Sequence, residues 1–285
     1  MGVYDVAIVL RVYPRISKTP AIYPDDKIRL FESSLKSFKR SLGGLKVKLW
    51  ALLDDCPPIY ETLITKYFNR HDSEIIHLNG IGNQKTFLMQ LDILTEQKDS
   101  DLVYLAEDDY IYQSDQFKEM IDFIQSYDDV HFISPYDHLD YYTEEMHEKL
   151  FRIRVSKDKH WRMATSTTCS FLTKKKILQK TKRVFRTYAR WKNTDGPMWF
   201  SLTKYNVFNP FTFIKWVFTS RLQRNFIILA WMYNFWQILF GKRWKLWTPM
   251  PSIATHLESP FLSPVVNWDS IFDEFKVDDS TDYSN

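Results

Sequence analysis

Four short apolar runs, "YDVAIVLRVY", "LKVKLWALLDD", "SEIIHLN" and "SDLVYLAEDD", alternate with three stretches of helical periodicity, and this alternation constrains the fold more than any other feature. The intervening segments, "PDDKIRLFESSLKSFKRSLGG", "PIYETLITKYFNR" and "NQKTFLMQLDILTEQ", place apolar residues three and four apart. Strand-helix-strand units of this length predict an α/β fold with a mostly parallel sheet, because parallel neighbours need a crossover long enough to hold a helix. Ligands of such sheets bind outside the carboxyl ends of the strands. Arg11 follows the first strand, Asp54 and Asp55 follow the second, and Glu107, Asp108 and Asp109 follow the fourth. All six are expected at one crevice.

Beyond Asp109 the pattern loosens. "FKEMIDFIQSYDD" reads as a helix, "VHFISP" as a strand, and "TTCSFLTKKKILQKTKRVFRTYARW" as a strand entering a basic helix. The segment "TPMPSIATHLESPFLSP" is extended and proline-rich, and the acidic end "DDSTDYSN" is expected to fray. The expected organisation is an α/β part over residues 1–200, an aromatic, basic helical segment over 201–248, and a C-terminal segment over 249–285 that returns to the crevice. Only two cysteines, Cys56 and Cys169, are present, without a partner pattern. A disulfide framework and a structural zinc module are therefore excluded as expectations. The start "MGVYDVAIVLRVYPR" lacks a basic leader and breaks its apolar run at Asp5, so it is read as a strand of a cytoplasmic protein.

A net charge of +3 hides a strong asymmetry. Residues 1–158 carry 19 Lys/Arg against 27 Asp/Glu, residues 159–257 carry 18 against one, and the remainder carries 1 against 7. Within the basic part, residues 205–247 are dominated by Phe, Trp, Ile and Leu. Two readings stand for them: a helix pair covering the sheet, or helices lying in the interface of an anionic membrane on its cytoplasmic face. The longest uncharged run, Asn225 to Gly241, is shorter than a spanning helix requires. Nucleic acid is not expected as the anion, since no recognition motif accompanies the basic residues.

Three adjacent carboxylates repel one another, and a divalent cation at the strand end relieves that repulsion. Magnesium and manganese prefer oxygen ligands and leave positions for water and phosphates. The alternative is a helix N-terminal cluster, which also favours Asp and Glu. The triplet, in its place after the fourth strand and with the order of elements from Tyr4 to about Thr173, resembles the GT-A glycosyltransferases, whose nucleotide-sugar sites carry a D-x-D or E-D-D motif there. The resemblance implies a GT-A fold, a divalent cation (Mn2+ or Mg2+) and a nucleotide-diphosphate-sugar donor, with a UDP-sugar favoured. It further implies that Asp109 binds the metal with Glu107 assisting, that Asp108 serves the ribose or a supporting group, and that Asp54 or Asp55 recognises the base. Arg11 and Lys85, the latter from "GIGNQKTF", would line the nucleotide.

Two later motifs extend the resemblance. In "NTDGPMWFSL", Asp195 precedes Gly196 and Pro197 in the form of a helix start, so a capping role accounts for it. Yet it is the one acid of the 159–257 segment, and inverting GT-A enzymes place an acid at the start of such a helix to take the acceptor's proton. The resemblance therefore implies Asp195 as general base. In "SIATHLESP", His256 matches a histidine that completes the metal site in several GT-A families. The activity implied is a hexosyl-type transfer to a hydroxyl of a glycan or lipid-linked acceptor, with inversion. Two rivals are a metal-dependent phosphotransferase or nuclease, and a non-catalytic peripheral membrane protein.

Overall fold

Each apolar run of the first half becomes a strand of one sheet in the computed structural model, which describes residues 2–16, 19–147 and 152–277. The elements in chain order begin with β1 (Val6–Val12), α1 (Lys27–Leu42), β2 (Val47–Asp54), α2 (Pro58–Tyr67), β3 (Ser73–Leu78), α3 (Asn83–Glu96), β4 (Leu102–Glu107), β5 (Tyr110–Tyr112) and α4 (Phe117–Ser126). They continue with β6 (Phe132–Ile133), α5 (Asp140–Thr143), β7 (Ile153–Ser156), β8 (Lys159–Ala164), β9 (Phe171–Lys174), α6 (Lys175–Phe185) and α7 (Asp195–Thr203). The last are α8 (Pro210–Thr219), α9 (Arg221–Phe240), β10 (Leu246–Met250), β11 (Ala254–His256) and α10 (Trp268–Phe275).

Nine strands form the main sheet in the order β3-β2-β1-β4-β9-β6-β10-β8-β7. The first four are parallel, as their helical crossovers require. From β9 outward the sheet is mixed: β9 runs antiparallel to β4 and β6, β10 is parallel to β6, and β8 is antiparallel to β10. β1 is buried along its whole length because helices cover both faces of the sheet. On one face, α1, α2 and α4 enclose Phe38, whose ring lies 4.9 Å from that of Tyr112. On the other, α3, α6 and α7 enclose Phe87, Phe171, Phe185 and Trp199. Burying each such side chain stabilises the fold by about 1.5–3 kcal/mol.

Differences from the sequence reading are local. The fourth strand ends at Glu107, and the chain bends at Asp108 and Asp109 before returning as β5. "VHFISP" contributes only the two residues of β6. β10 straddles residue 248 and enters the sheet between β6 and β8, so the C-terminal part is woven into the first. The acidic end "DDSTDYSN", residues 278–285, lies outside the described residues.

The small sheet β5-β11 sets the C-terminal segment beside the acidic triplet. Its antiparallel register sets His256 opposite Tyr110, and the Leu257 N–H donates to the Asp109 carbonyl at 2.8 Å. Residues 205–247 form α8 and α9, which pack on α7 through Phe200, Trp216, Ile227 and Ala230. Among the described residues no helix is long and apolar enough to cross a membrane.

Candidate active site

The acidic triplet opens onto a cleft of about 350 Å³ whose wall includes Arg11, Asp54, Asn83, Glu107, Asp108 and Asp109. It lies at the carboxyl ends of β1, β2 and β4, where the sheet topology places it. Each carboxylate there has a different set of partners, and the partners separate their roles.

Glu107 closes β4 with both oxygens engaged. Oε1 lies 2.6 Å from the Arg11 guanidinium, and Oε2 accepts from the Ser170 hydroxyl at 2.9 Å. Burial pushes its carboxyl above the usual range, and Arg11 acts against that rise. Arg11 is itself buried. It donates to the Asn83 carbonyl at 3.0 Å and to the Asn83 side chain, and its guanidinium lies 5.5 Å from the centre of the Phe87 ring.

Asp108 faces the other way. Its Oδ2 accepts from the Tyr13 N–H at 2.9 Å and from Lys27 at 2.9 Å, with both charged side chains only 10% exposed. Burial raises this carboxyl and Lys27 opposes the shift. The contact ties the exit of β1 to the first turn of α1.

Asp109 keeps one oxygen without a partner. Oδ2 lies 3.0 Å from His256 Nε2, whereas Oδ1 is buried and accepts no hydrogen bond among the described residues. Burial alone would raise this carboxyl, but His256, Lys27 and Arg11 outweigh it and hold the group well below the usual carboxylate range. Burial likewise lowers His256, and Asp109 more than reverses it, so the imidazole titrates above its ordinary value. Its Nδ1 lies 3.8 Å from Glu258, and the ring stands edge-on to Tyr110.

Whether these groups fit a divalent cation follows from their partners. Among the described residues no three His, Cys, Asp or Glu side chains are grouped to hold a metal. The expected set of Glu107, Asp109 and His256 is therefore not assembled, because Arg11 and Ser170 occupy Glu107. Asp109 Oδ1 remains as a buried oxygen aimed at no protein group, and His256 would join it by exchanging its Nε2 contact with Asp109 Oδ2 for the cation. Two protein ligands completed by water and phosphate oxygens suit magnesium or manganese.

The other three expected nucleotide contacts have distinct surroundings. Asp54, only 2% exposed, accepts from the Ile81 N–H at 2.8 Å and the Gly82 N–H at 2.7 Å, so its carboxylate clamps the β3–α3 loop. Gly82 sits at φ 84° in that loop, a conformation that favours glycine. Asp55 is largely exposed, 3.9 Å from Arg15. Lys85 is exposed on the first turn of α3 and does not line the cleft. Two residues earlier, Asn83 does, and it also donates to the Tyr188 hydroxyl at 3.0 Å. Asn83, Lys27 and Ser170 are thus site residues that sequence reasoning missed. For Asn83 the available signal was its place directly after the Gly-x-Gly of the crossover.

Asp195 occupies a neighbouring recess of about 120 Å³, with His138, Tyr141, Thr168, Leu222 and Phe226 on its wall. Thr194 takes the N-cap position and Asp195 is the first residue of α7, its Oδ1 accepting from the Gly196 N–H at 2.8 Å. The segment Thr168–Ser170 links the recess to the cleft: Thr168 lies on the recess wall with its hydroxyl 2.7 Å from that of Tyr110, and Ser170 holds Glu107. Gly196 is required here, since a Cβ would lie 2.4 Å from the Phe226 ring.

No protein-family model matches the sequence, and no curated protein matches it. Solved structures do. Glucosyl-3-phosphoglycerate synthase from Mycobacterium tuberculosis, in complex with Mn2+, UDP and phosphoglyceric acid, is 12% identical over 61% of this chain and 56% of its own, with a TM-score of 0.36. A cytidylyltransferase from Leptospira borgpetersenii is 11% identical over 63% of this chain and 64% of its own, with a TM-score of 0.36. A glycosyltransferase of Streptococcus pneumoniae is 14% identical over 97% of this chain and 65% of its own, with a TM-score of 0.39. This chain spans less than two thirds of the length of each. At these values function rests on the site itself. The strand order and the acidic triplet closing β4 agree with the GT-A-like arrangement expected from the sequence.

Proposed function

We propose that the chain is a metal-dependent glycosyltransferase that moves a hexosyl group from a nucleotide-diphosphate sugar, with UDP-sugars favoured, to a hydroxyl of a glycan or lipid-linked acceptor. The observation that carries this reading is the buried, unpartnered Oδ1 of Asp109 beside His256, at the carboxyl ends of parallel strands. A divalent cation held by Asp109 and His256 would supply Lewis-acid stabilisation of the departing diphosphate. The residues of the chain do the remainder. Arg11 and Glu107 fix each other and Asn83, giving the donor a rigid floor. The buried Lys27–Asp108 pair fixes the turn that carries Asp109.

The place of Asp195 on the wall of the recess beside the cleft supports inversion. An acceptor hydroxyl in the recess attacks the anomeric carbon, its proton passes to the Asp195 carboxylate, and the bond from that carbon to the phosphate oxygen breaks with its electron pair leaving on the nucleotide. The wall of the recess, with Tyr141, Leu222 and Phe226, offers rings and apolar edges to a sugar face.

A thermal-shift screen of UDP, GDP, CDP and dTDP, each with and without manganese, tests class and base together. Asp109→Ala is expected to abolish the manganese-dependent part of the shift. Asp195→Asn is expected to keep that shift and to lower transfer by about 10²- to 10⁴-fold. Full transfer by Asp195→Asn would remove the general base from the scheme, and a manganese-independent shift in the native chain would remove the metal.

A further inference from the structure

Helices α8 and α9 turn an unusual surface outward. On α8, Phe211, Ile214 and Phe218 form one exposed stripe, with Phe211 and Phe218 at least 80% exposed. On α9, Gln223, Ile227, Ala230, Asn234 and Ile238 face inward, and the opposite side presents Ile228, Met232, Phe235 and Leu239. Trp236 and Phe240 flank that side at 63% and 74% exposure, stacked on one another with ring centres 5.7 Å apart. Between the two helices runs an open apolar groove of about 730 Å³, with Phe213, Ile228 and Trp231 on its wall. Singly exposed apolar residues are ordinary on a protein surface, but a contiguous face of this kind marks an interaction site.

Charge identifies what covers it. Lys180 and Arg183, both exposed on α6, share a recess with Trp236, and Lys242 lies two residues beyond Phe240 in the chain. Elsewhere on α6, Lys182 pairs with Asp92 of α3 and Lys175 donates to the Gln97 carbonyl, whereas Lys180 and Arg183 stand at the aromatic end of α9. Among the described residues, Glu144, Glu145 and Asp195 stand toward the N-terminal end of α9, the first two bound to Gln223 and Lys215. Exposed aromatic and aliphatic side chains bordered by lysine and arginine match an anionic lipid bilayer: rings enter the headgroup boundary and cations meet lipid phosphates.

We infer that the chain docks on an anionic bilayer through the outer face of α8 and α9, with both helices lying in the membrane plane. The N-terminal half of α9 also supplies Leu222 and Phe226 to the Asp195 recess. Docking this face therefore brings the recess to the bilayer surface, where a hydroxyl carried on a lipid headgroup would be within reach.

Sedimentation of the full chain with phosphatidylcholine vesicles, and with vesicles that also contain phosphatidylglycerol, tests the inference without any sugar donor, so its outcome is separate from that of the transfer reading. Binding to the anionic vesicles is expected to exceed binding to the neutral ones by roughly tenfold or more and to weaken with salt. The pair Trp236→Ser and Phe240→Ser is expected to lose that binding while keeping the native melting temperature, since both side chains are exposed. Lys180→Glu with Arg183→Glu is expected to lose the preference for anionic lipid. Native binding by the serine variant would overturn the inference. So would a wild-type chain that ignores both vesicles but dimerises through this face, seen by light scattering as a dimer that the serine variant lacks.

Discussion

Replacing Asp54 by alanine separates a structural role from a base-reading one. Both carboxylate oxygens hold backbone N–H groups, those of Ile81 and Gly82, at 2.8 and 2.7 Å. A hydrogen bond to a charged acceptor contributes about 1.5–3 kcal/mol. The two donors sit in a half-buried loop, where water replaces part of what is lost, so Asp54→Ala should cost about 2–4 kcal/mol. For a chain of this size that is a drop of roughly 5–10 °C in Tm. Asp54→Asn retains one acceptor and turns an amide donor toward a second donor, so it should fall between. The loop also presents Asn83 to Arg11, and its release should weaken UDP, CDP and GDP together. Titration calorimetry should then give native affinity ratios among the three nucleotides, to within about a factor of two. An Asp54→Ala protein with native Tm and altered base preference would refute the clamp and restore Asp54 as a reader of the base.

Two further outcomes follow from packing. His131 accepts from the Lys245 N–H through Nδ1 at 3.0 Å, which requires the neutral ring, and burial, aided by Lys242 and Lys245, lowers its pKa to about 4. An unfolded histidine titrates near 6.5, so the native state binds fewer protons between these values; the stability present above about pH 6.5, roughly 3 kcal/mol, is lost as pH falls to about 4. Urea midpoints at pH 7.5 and 4.5 should differ less in His131→Asn than in the native chain, and an unchanged difference would contradict the assignment. Gly196→Ala should cost about 1–3 kcal/mol through collision with Phe226 and should slow transfer more than it weakens nucleotide binding, with Phe226→Leu restoring both Tm and rate. Failure of that rescue would place the defect elsewhere.

The parallel half of the fold was legible because central strands such as β1 are apolar on both faces and their crossover helices carry a clear period. β7 escaped notice because "IRVS" is a four-residue edge strand whose apolar Ile153 and Val155 are exposed, β8 because "KHWRMA" mixes exposed and buried residues without a clean alternation, and the two-residue β6 owes its pairing to β9 and β10 on either side. In the site, the acids at strand ends could be read from the sequence, but not which oxygen each leaves free. That depends on partners remote in the chain: Lys27 for Asp108, Ser170 for Glu107, Ile81 and Gly82 for Asp54. Lys85 and Asn83 share one helical turn, and only the tertiary position of Arg11 distinguishes them.

The insertion of β10 between β6 and β8 has a consequence for biosynthesis. During translation the nascent chain carries β6 and β8 with unpaired edges until Leu246–Met250 emerges, and the long aromatic helices must be made in the meantime. Unpaired edges are templates for aggregation, so a ribosome stalled short of β10 leaves a sticky, incomplete sheet. The same late stretch delivers His256, so Asp109 acquires its partner only after the sheet has closed. On the proposed reading, donor could not be bound productively before the framework is finished, so assembly would be checked by the topology itself.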